Sequence, residues 1–551
     1  MPKMNIIMKD FCAQLMNLPD EILLMIFKKA DRVEILNSMV GINKRIDQIL
    51  CDPTITGRLT LMRSSASGHI HPLDNVILDR FCCQTLPQIH HHIQWLNLES
   101  LTMERILRAA EYPNLCGLGL HRIDYKAMRR LFDNDTDFVR KFKSKISKLA
   151  MSIYSDDDDR LQEMMIILFT RVLTVFKNLI YLNMQGSLWF YLDAFRSLSG
   201  LVNFSSSTLL ELHVQVANFS DCLFLLDGRF NRLRSFHVKI SVIVNQQLTI
   251  DNKVNYFVTT NIYKKLVNLK HFSMILNSGT NGYYEYILPL LYRMSNLETL
   301  TLDLVLDMKT AFIDGNRLKT DIIDRFPSLK KFFFYIYSFI KIGNRTNPPS
   351  NEDIMRTFVD FNDYEITSCV DYFPTKKKSQ CLIYTHPYRK THYYRITNNF
   401  PGGLFKCVEK ISLFDERPFE HEFFIRLAKS FPLLRRLELS NMTPQNNKKS
   451  QEANNDNRRF ESIEYPHMTE LSLVSIHDDY LEQFLDHTKA CLANNIKLYI
   501  FYENLQTGTR NFTNDATRIN CGRLEYLYLF NVRNYSKPCS AYFPNLKAVY
   551  Y

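Results

Sequence analysis

Five times in this chain an aromatic residue, a proline, a third residue and then a leucine or methionine lead straight into one spacing of apolar residues. Tyr112-Pro-Asn-Leu115, Phe326-Pro-Ser-Leu329, Phe431-Pro-Leu-Leu434, Tyr465-Pro-His-Met468 and Phe543-Pro-Asn-Leu546 each open an apolar-x-x-apolar-x-apolar phrase. Composition alone predicts roughly 0.3 such tetrads in a chain of this size. The phrase recurs without proline at Ile93/Leu96/Leu98, Ile146/Leu149/Met151, Leu179/Leu182/Met184, Leu209/Leu212/Val214 and Leu233/Phe236/Val238. It continues at Leu269/Phe272/Met274, Leu297/Leu300/Leu302, Val408/Ile411/Leu413 and Leu524/Leu527/Leu529, with a degenerate copy near Leu498 and Ile500. Most intervals fall between 22 and 36 residues. The phrase by itself is common in an apolar-rich chain; its register with the tetrads makes it a repeat.

Each phrase predicts a short strand whose alternate residues point inward. The proline stops the preceding helix from running into the strand. Helices are expected between phrases, as at Met103 to Glu111 and Asp159 to Val175, so Asp156-Asp157-Asp158-Asp159 is the N-cap and first turn of a helix rather than a metal site. A few buried leucines cannot offset the backbone entropy of one unit, so the units must stack. The pattern resembles leucine-rich repeats of the longer, helix-containing kind. That resemblance implies an α/β horseshoe solenoid over residues 53–551, with parallel strands on its concave side and helices on its convex side. Where the family has Asn or Cys three residues past the last strand leucine, this chain has Ile123, Val305, Met442, Ile476 and Val532. Packing is expected to replace the family's side-chain ladder there. Residues 344–403 are the least regular, and are expected to hold two degenerate repeats, around Ile366–Tyr372 and Cys381–Thr385, and a surface loop. Residues 446–459 are polar and predict a flexible insertion.

Ahead of the repeats, after a tail over residues 1–13, stands Leu18-Pro19-Asp20-Glu21-Ile22-Leu23-Leu24-Met25-Ile26-Phe27. Pro19 suits a first helical position, and Asp20 and Glu21 complement the helix dipole. Ile22, Leu23, Ile26 and Phe27 make one broad apolar face, and Val33 to Leu50 adds a second helical segment. With Val40-x-x-Asn43-Lys44-Arg45-Ile46, residues 14–52 resemble an F-box, the all-helical docking module of ubiquitin-ligase substrate receptors. The resemblance implies that Leu18, Pro19, Ile22, Leu23, Ile26, Phe27 and Val40 bind a Skp-class adaptor, which joins the receptor to a cullin–RING ligase. Ala30 and Ile46 stand where the family has a leucine and an aromatic residue, trimming the bulk offered to an adaptor.

Other chemistry lacks its motifs. His90-His91-His92 diverge on any regular element and have no Cys pair beside them. His421-Glu422-Phe423-Phe424-Ile425 begins like a zinc-protease helix but has Ile425 where the second histidine belongs. Gly117-x-Gly119 lies within a predicted strand and is no phosphate cradle. The net charge of +11 is spread over 68 basic and 57 acidic residues, with no concentrated stripe for nucleic acid. The twelve cysteines are scattered and read as reduced thiols. With no apolar run of about 20 residues and no secretory signal, a soluble protein of the cytoplasm or nucleus is expected, without membrane contact or cofactor. The expectation is a non-catalytic substrate receptor, with a plain repeat scaffold as the alternative. If strands line a concave face, early repeats present Asn97, Glu99, His121, Asn183, Gln185, His213, Gln215, His237 and Lys239. Later ones present Phe333, Tyr335, Phe414, Tyr528 and Phe530, which either contact a protein substrate or pack laterally on one another.

Overall fold

The computed structural model describes residues 17–64, 70–132, 136–154, 158–184, 204–243, 265–276, 278–342, 348–446, 462–532 and 542–550. The tail 1–13, residues 447–459 of the expected insertion, Asp156, Asp157 and Gln185 lie outside them. The fold is mixed α/β with long parallel sheets, and the chain divides into two compact units. One comprises residues 1–304 with 325–332, the other 305–324 with 333–551.

The first unit begins with four short helices, α1 (Asp20–Lys29), α2 (Arg32–Met39), α3 (Lys44–Leu50) and α4 (Pro53–Thr56). Pro19 is the N-cap of α1, one position before the expected one. The single segment expected from Val33 to Leu50 is two helices, broken where Gly41 takes φ +86°. A parallel ladder follows. Its strands are β1 (Arg58–Leu61), β2 (Trp95–Glu99), β3 (Gly117–Ile123), β4 (Lys148–Ile153) and β5 (Tyr181–Met184). Then come β6 (Glu211–Asn218), β7 (Ser235–Val242), β8 (His271–Leu276) and β9 (Thr299–Met308, up to Leu304 in this unit). They pair in chain order. The middle residue of the apolar phrase is aligned from strand to strand: Leu59, Leu96, Leu118, Leu149, Leu182, Leu212, Phe236, Phe272 and Leu300 are successive register partners. All are buried.

The tetrad has a definite structure. Leu115, Leu329, Leu434, Met468 and Leu546 each donate their backbone N–H to the carbonyl of the aromatic residue three positions earlier. That is a β-turn with proline in its second position, where a fixed φ is favoured. The aromatic is buried in all five cases. The same turn precedes other strands without proline, from Phe176 to Leu179, Phe230 to Leu233, Leu266 to Leu269, Met294 to Leu297 and Phe405 to Val408. Its third position is often asparagine, and that side chain ties neighbouring repeats together. In the first unit Asn114 Nδ2 donates to the His91 carbonyl (2.7 Å), Asn268 to Asn231 (2.8 Å) and Asn296 to Val267 (2.8 Å). In the second, Asn545 donates to Gly522 (2.7 Å). The side-chain ladder is therefore present, moved from the end of the strand to the turn before it. At the strand ends packing takes the expected places: Ile123 and Ile476 are buried and Val305 and Val532 pack against the core, whereas Met442 is 69% exposed.

Gly117 and Gly119 make room on the open face of β3. A Cβ at Gly117 would lie 2.1 Å from the Trp95 ring, and one at Gly119 would lie 2.0 Å from Asn97 Oδ1. Trp95 Nε1 donates to that same Asn97 oxygen (2.7 Å).

The second unit departs from the repeat where it begins. β10 (Lys331–Lys341, from Phe333 in this unit), β11 (Ile366–Phe373) and β12 (Lys378–Thr385) are antiparallel, in the order β10–β12–β11. Ile336 pairs with Ile383 and Cys369 with Leu382. The two degenerate repeats expected around Ile366–Tyr372 and Cys381–Thr385 are thus the two arms of one hairpin. The run Lys376-Lys377-Lys378 forms its turn and the start of its second arm. Parallel pairing resumes in a seven-stranded sheet of β13 (His392–Ile396), β14 (Lys410–Phe414), β15 (Arg436–Asn441), β16 (Glu470–Ile476), β17 (Ile496–Phe501), β18 (Leu524–Phe530) and β19 (Ala548–Tyr550). Its aligned column reads Tyr393, Ile411, Leu437, Leu471, Leu498, Leu527, Val549. The helix expected near Met103 spans Met103–Arg108, and the long one spans Asp158–Val175. Among the described residues no helix is long and apolar enough to cross a membrane.

Candidate functional site

The N-terminal helices hold one another through local caps and one long-range clamp. Asp31 accepts from the Glu34 N–H (2.9 Å) and Asn43 from the Ile46 N–H (2.9 Å), starting α2 and α3. Arg45, from the Lys44-Arg45 pair, reaches back to the start of α1. It donates to the Leu18 carbonyl (2.6 Å) and pairs with Asp20 (2.6 Å). Asp47 accepts from the Gly41 N–H (2.7 Å) and fixes the turn between α2 and α3. Arg32 donates to the Arg58 carbonyl (2.7 Å), joining α2 to the first strand.

This packing divides the apolar face of α1. Leu23 and Phe27 are buried, as is Val40. These three expected adaptor contacts are corrected to core positions, because α1 packs its buried side on α2, α3 and α4. Ile22 (42% exposed), Met25 (57%) and Ile26 (41%) remain in solvent. They lie at i, i+3 and i+4, so they form one stripe. Pro19 is exposed beside it and Leu18 half-buried. Ile46 is buried as well, so its place in the motif does not decide what the surface offers; Ala30 is exposed. Met25 is a surface residue that periodicity did not single out.

On the open face of the first sheet, polar side chains pair with the residue two positions earlier on their own strand. Asn97 does so with Trp95, Asn183 with the Tyr181 hydroxyl (3.4 Å), His213 with Glu211 (2.6 Å) and His237 with Ser235 (3.0 Å). The His213 and His237 rings stack across neighbouring strands at 4.0 Å and 11°. His237 is pulled down to about 4 by burial and by His213 beside it, with Glu211 acting in the opposite sense and His271 adding to the drop. Glu99 is buried and turned into the loop, accepting from Ser100 (3.0 Å) and the Leu101 N–H (2.9 Å). It is therefore not a surface residue of that face.

In the second unit the aromatic positions are engaged with their neighbours. Tyr335 is buried and packs on Tyr337, Tyr384, Tyr388 and Tyr393, so its expected role as a substrate contact is corrected. Phe414 packs on Phe373 (5.1 Å), with Lys376 Nζ lying 3.9 Å from the ring centre. Arg389 lies over Phe333 at 5.5 Å. Tyr528 stacks between Tyr499 (4.3 Å, 9°) and Tyr550 (4.7 Å, 12°), the spacing of adjacent strands. Phe530 remains 42% exposed, beside Phe501. Of the expected substrate-facing set, Phe530 keeps the freest ring.

No protein-family model matches this chain, and no curated protein matches it.

Proposed function

We propose that this chain is a substrate-recognition subunit of a cullin–RING ubiquitin ligase. Helices α1 to α4 act as the F-box, and the strands belong to a leucine-rich-repeat solenoid. The observation that carries the proposal is the stripe of Ile22, Met25 and Ile26. Three large apolar side chains stand in solvent on a helix that buries Leu23 and Phe27 on its other side. Exposed apolar clusters of this kind favour partner binding. The resemblance of Leu18 to Ile46 to an F-box names the partner as a Skp-class adaptor. The chain does no chemistry of its own in this role; it brings a bound protein close to the ubiquitin-conjugating machinery.

A repeat scaffold with no ligase role is the second reading. It is favoured by the bond from Arg32 to Arg58 and by the burial of Ile55 and Leu59, through which the helices cover the first strand. A pull-down separates the two. Wild-type chain is compared with an Ile22→Ala/Met25→Ala/Ile26→Ala variant and probed for the adaptor. The receptor reading expects adaptor with wild type only, at unchanged melting temperature. Absence of adaptor from both samples favours the scaffold.

A further inference from the structure

The open face of the first sheet brings one carboxylate and two imidazoles together. Glu211 and His213 lie two residues apart on β6 and therefore on the same face. His237 is the register partner of His213 on β7, and Ser235 is the partner of Glu211. The four side chains occupy the corners of a small square. His213 Nε2 leans back to Glu211 Oε1 at 2.6 Å, and His237 Nε2 leans back to Ser235 Oγ at 3.0 Å. Both imidazoles tilt the same way, so the ring nitrogens and the carboxylate gather over one spot. One donor atom each from Glu211, His213 and His237 lies within 4.8 Å of the other two. The His213 and Glu211 side chains are 19% and 40% exposed, which leaves the spot open to solvent.

We propose that Glu211, His213 and His237 form a binding site for a divalent ion of the zinc class, bridging β6 and β7. Two imidazoles and a carboxylate are a borderline donor set. Calcium and magnesium favour all-oxygen shells, and the group has no thiolate to select Cu(I). Zinc binds such sets at about 2.0–2.2 Å, with a fourth position left to water or to a neighbouring hydroxyl. A tetrahedral ion requires its donors about 3.3 Å apart, so the stacked rings must turn towards a common centre. His213 Nε2 exchanges its contact with Glu211 for the ion as the site fills. The Glu-x-His spacing is visible in the sequence, but only strand pairing supplies the third ligand. The adjacent run His90-His91-His92 is the natural control. His91 and His92 lie ring to ring at 46°, and His90 Nδ1 lies 2.9 Å from the Pro87 carbonyl.

The test uses the full chain stripped of metal. Titration calorimetry with zinc should find one site per chain. Cobalt should give visible bands without the near-ultraviolet absorption of a thiolate complex. His213→Ala and His237→Ala should each weaken that site by about tenfold or more, whereas alanine at His90, His91 and His92 together leaves it unchanged. Zinc should raise the melting temperature of wild type and not of His237→Ala. If an alanine variant folds poorly, the imidazole nitrogen resonances of wild type still decide, because those of His213 and His237 must move on adding one equivalent of zinc. Absence of a stoichiometric site overturns the proposal. So does a site that survives Glu211→Gln, His213→Ala and His237→Ala alike, or one lost only with the triple histidine.

Discussion

In the first unit one column of aligned residues, mostly leucine, crosses strand after strand, and most of the strands are entered through a β-turn. In the second unit the strands between Phe333 and Thr385 run antiparallel, and their interior is filled by Tyr335, Tyr337 and Tyr384. Past them, β13 resumes the ladder with Tyr393 in the place of leucine. Parallel neighbours must be joined by a crossover, and many of the described crossovers return through a turn opened by a bulky, mostly buried residue. An antiparallel neighbour needs only the short link Pro374 to Lys377, so the entry turn and its asparagine disappear. Freed from that geometry, the hairpin is held by aromatic packing, where offset and edge-to-face ring pairs each add about 0.5–1.5 kcal/mol beyond burial.

Substitutions can break or sharpen this contrast. The largest loss is expected for Tyr384→Ala in the aromatic interior, at about 3–5 kcal/mol, measured by denaturant unfolding. Leu118→Ala in the column should cost about 2–5 kcal/mol. If Tyr384→Ala costs less than 1 kcal/mol, the aromatic interior does not hold the hairpin. Asn296→Ala removes one bond between consecutive turns and should cost about 1 kcal/mol; no measurable change would make the asparagines incidental. Tyr528→Ala should cost about 0.5–1.5 kcal/mol through lost ring stacking, and a protein partner captured equally well by this variant would confine the ring to packing.

The smallest effect is in pH dependence, where the two units carry opposite signs. In the first, hydrogen bonds from Lys270 and Lys330 hold Glu298 down to about 2. Its stabilisation is complete above the unfolded value near 4.5 and fades as pH falls toward 2. In the second, burial pushes Asp371 above its ordinary 3.8, despite hydrogen bonds from Thr397, Gln380 and Asn399 that pull it down. That contribution is complete below 3.8 and is lost as pH rises through the folded value. Relative to Glu298→Gln, wild type should lose stability on acidification below pH 4.5. Relative to Asp371→Asn it should gain. Parallel pH profiles for both pairs would remove the distinction.

The strands that follow a tetrad or phrase are readable from spacing alone, because the same order of apolar residues recurs at each of them. β1 escaped because Thr56, buried at 0% exposure, stands where the phrase has an apolar residue. β13 escaped because its register shifts between Tyr393 and Ile396, with Arg395 at φ +54°. Alternation of apolar residues cannot distinguish parallel from antiparallel partners, so the hairpin has the same spacing as two repeats. At the candidate site the helix was legible, but the division of its apolar face was not. Leu23 and Ile22 are equally apolar, and only the packing of α2 and α3 decides which one meets solvent. The asparagines of the entry turn were present in the sequence as repeated Asn-Leu pairs, at Asn114-Leu115, Asn178-Leu179, Asn268-Leu269, Asn296-Leu297 and Asn545-Leu546. They sit before the phrase, whereas the family's asparagine sits after it.

The exposed stripe on α1 is the centre of the functional account, and direct binding of purified Skp-class adaptor to the full chain tests it. Wild type is compared with Ile26→Asp and with Met442→Asp, a charge placed on an exposed apolar residue of the second unit. The account predicts saturable binding by wild type and Met442→Asp, and its loss in Ile26→Asp. Equal binding by all three, or none by wild type, would contradict it.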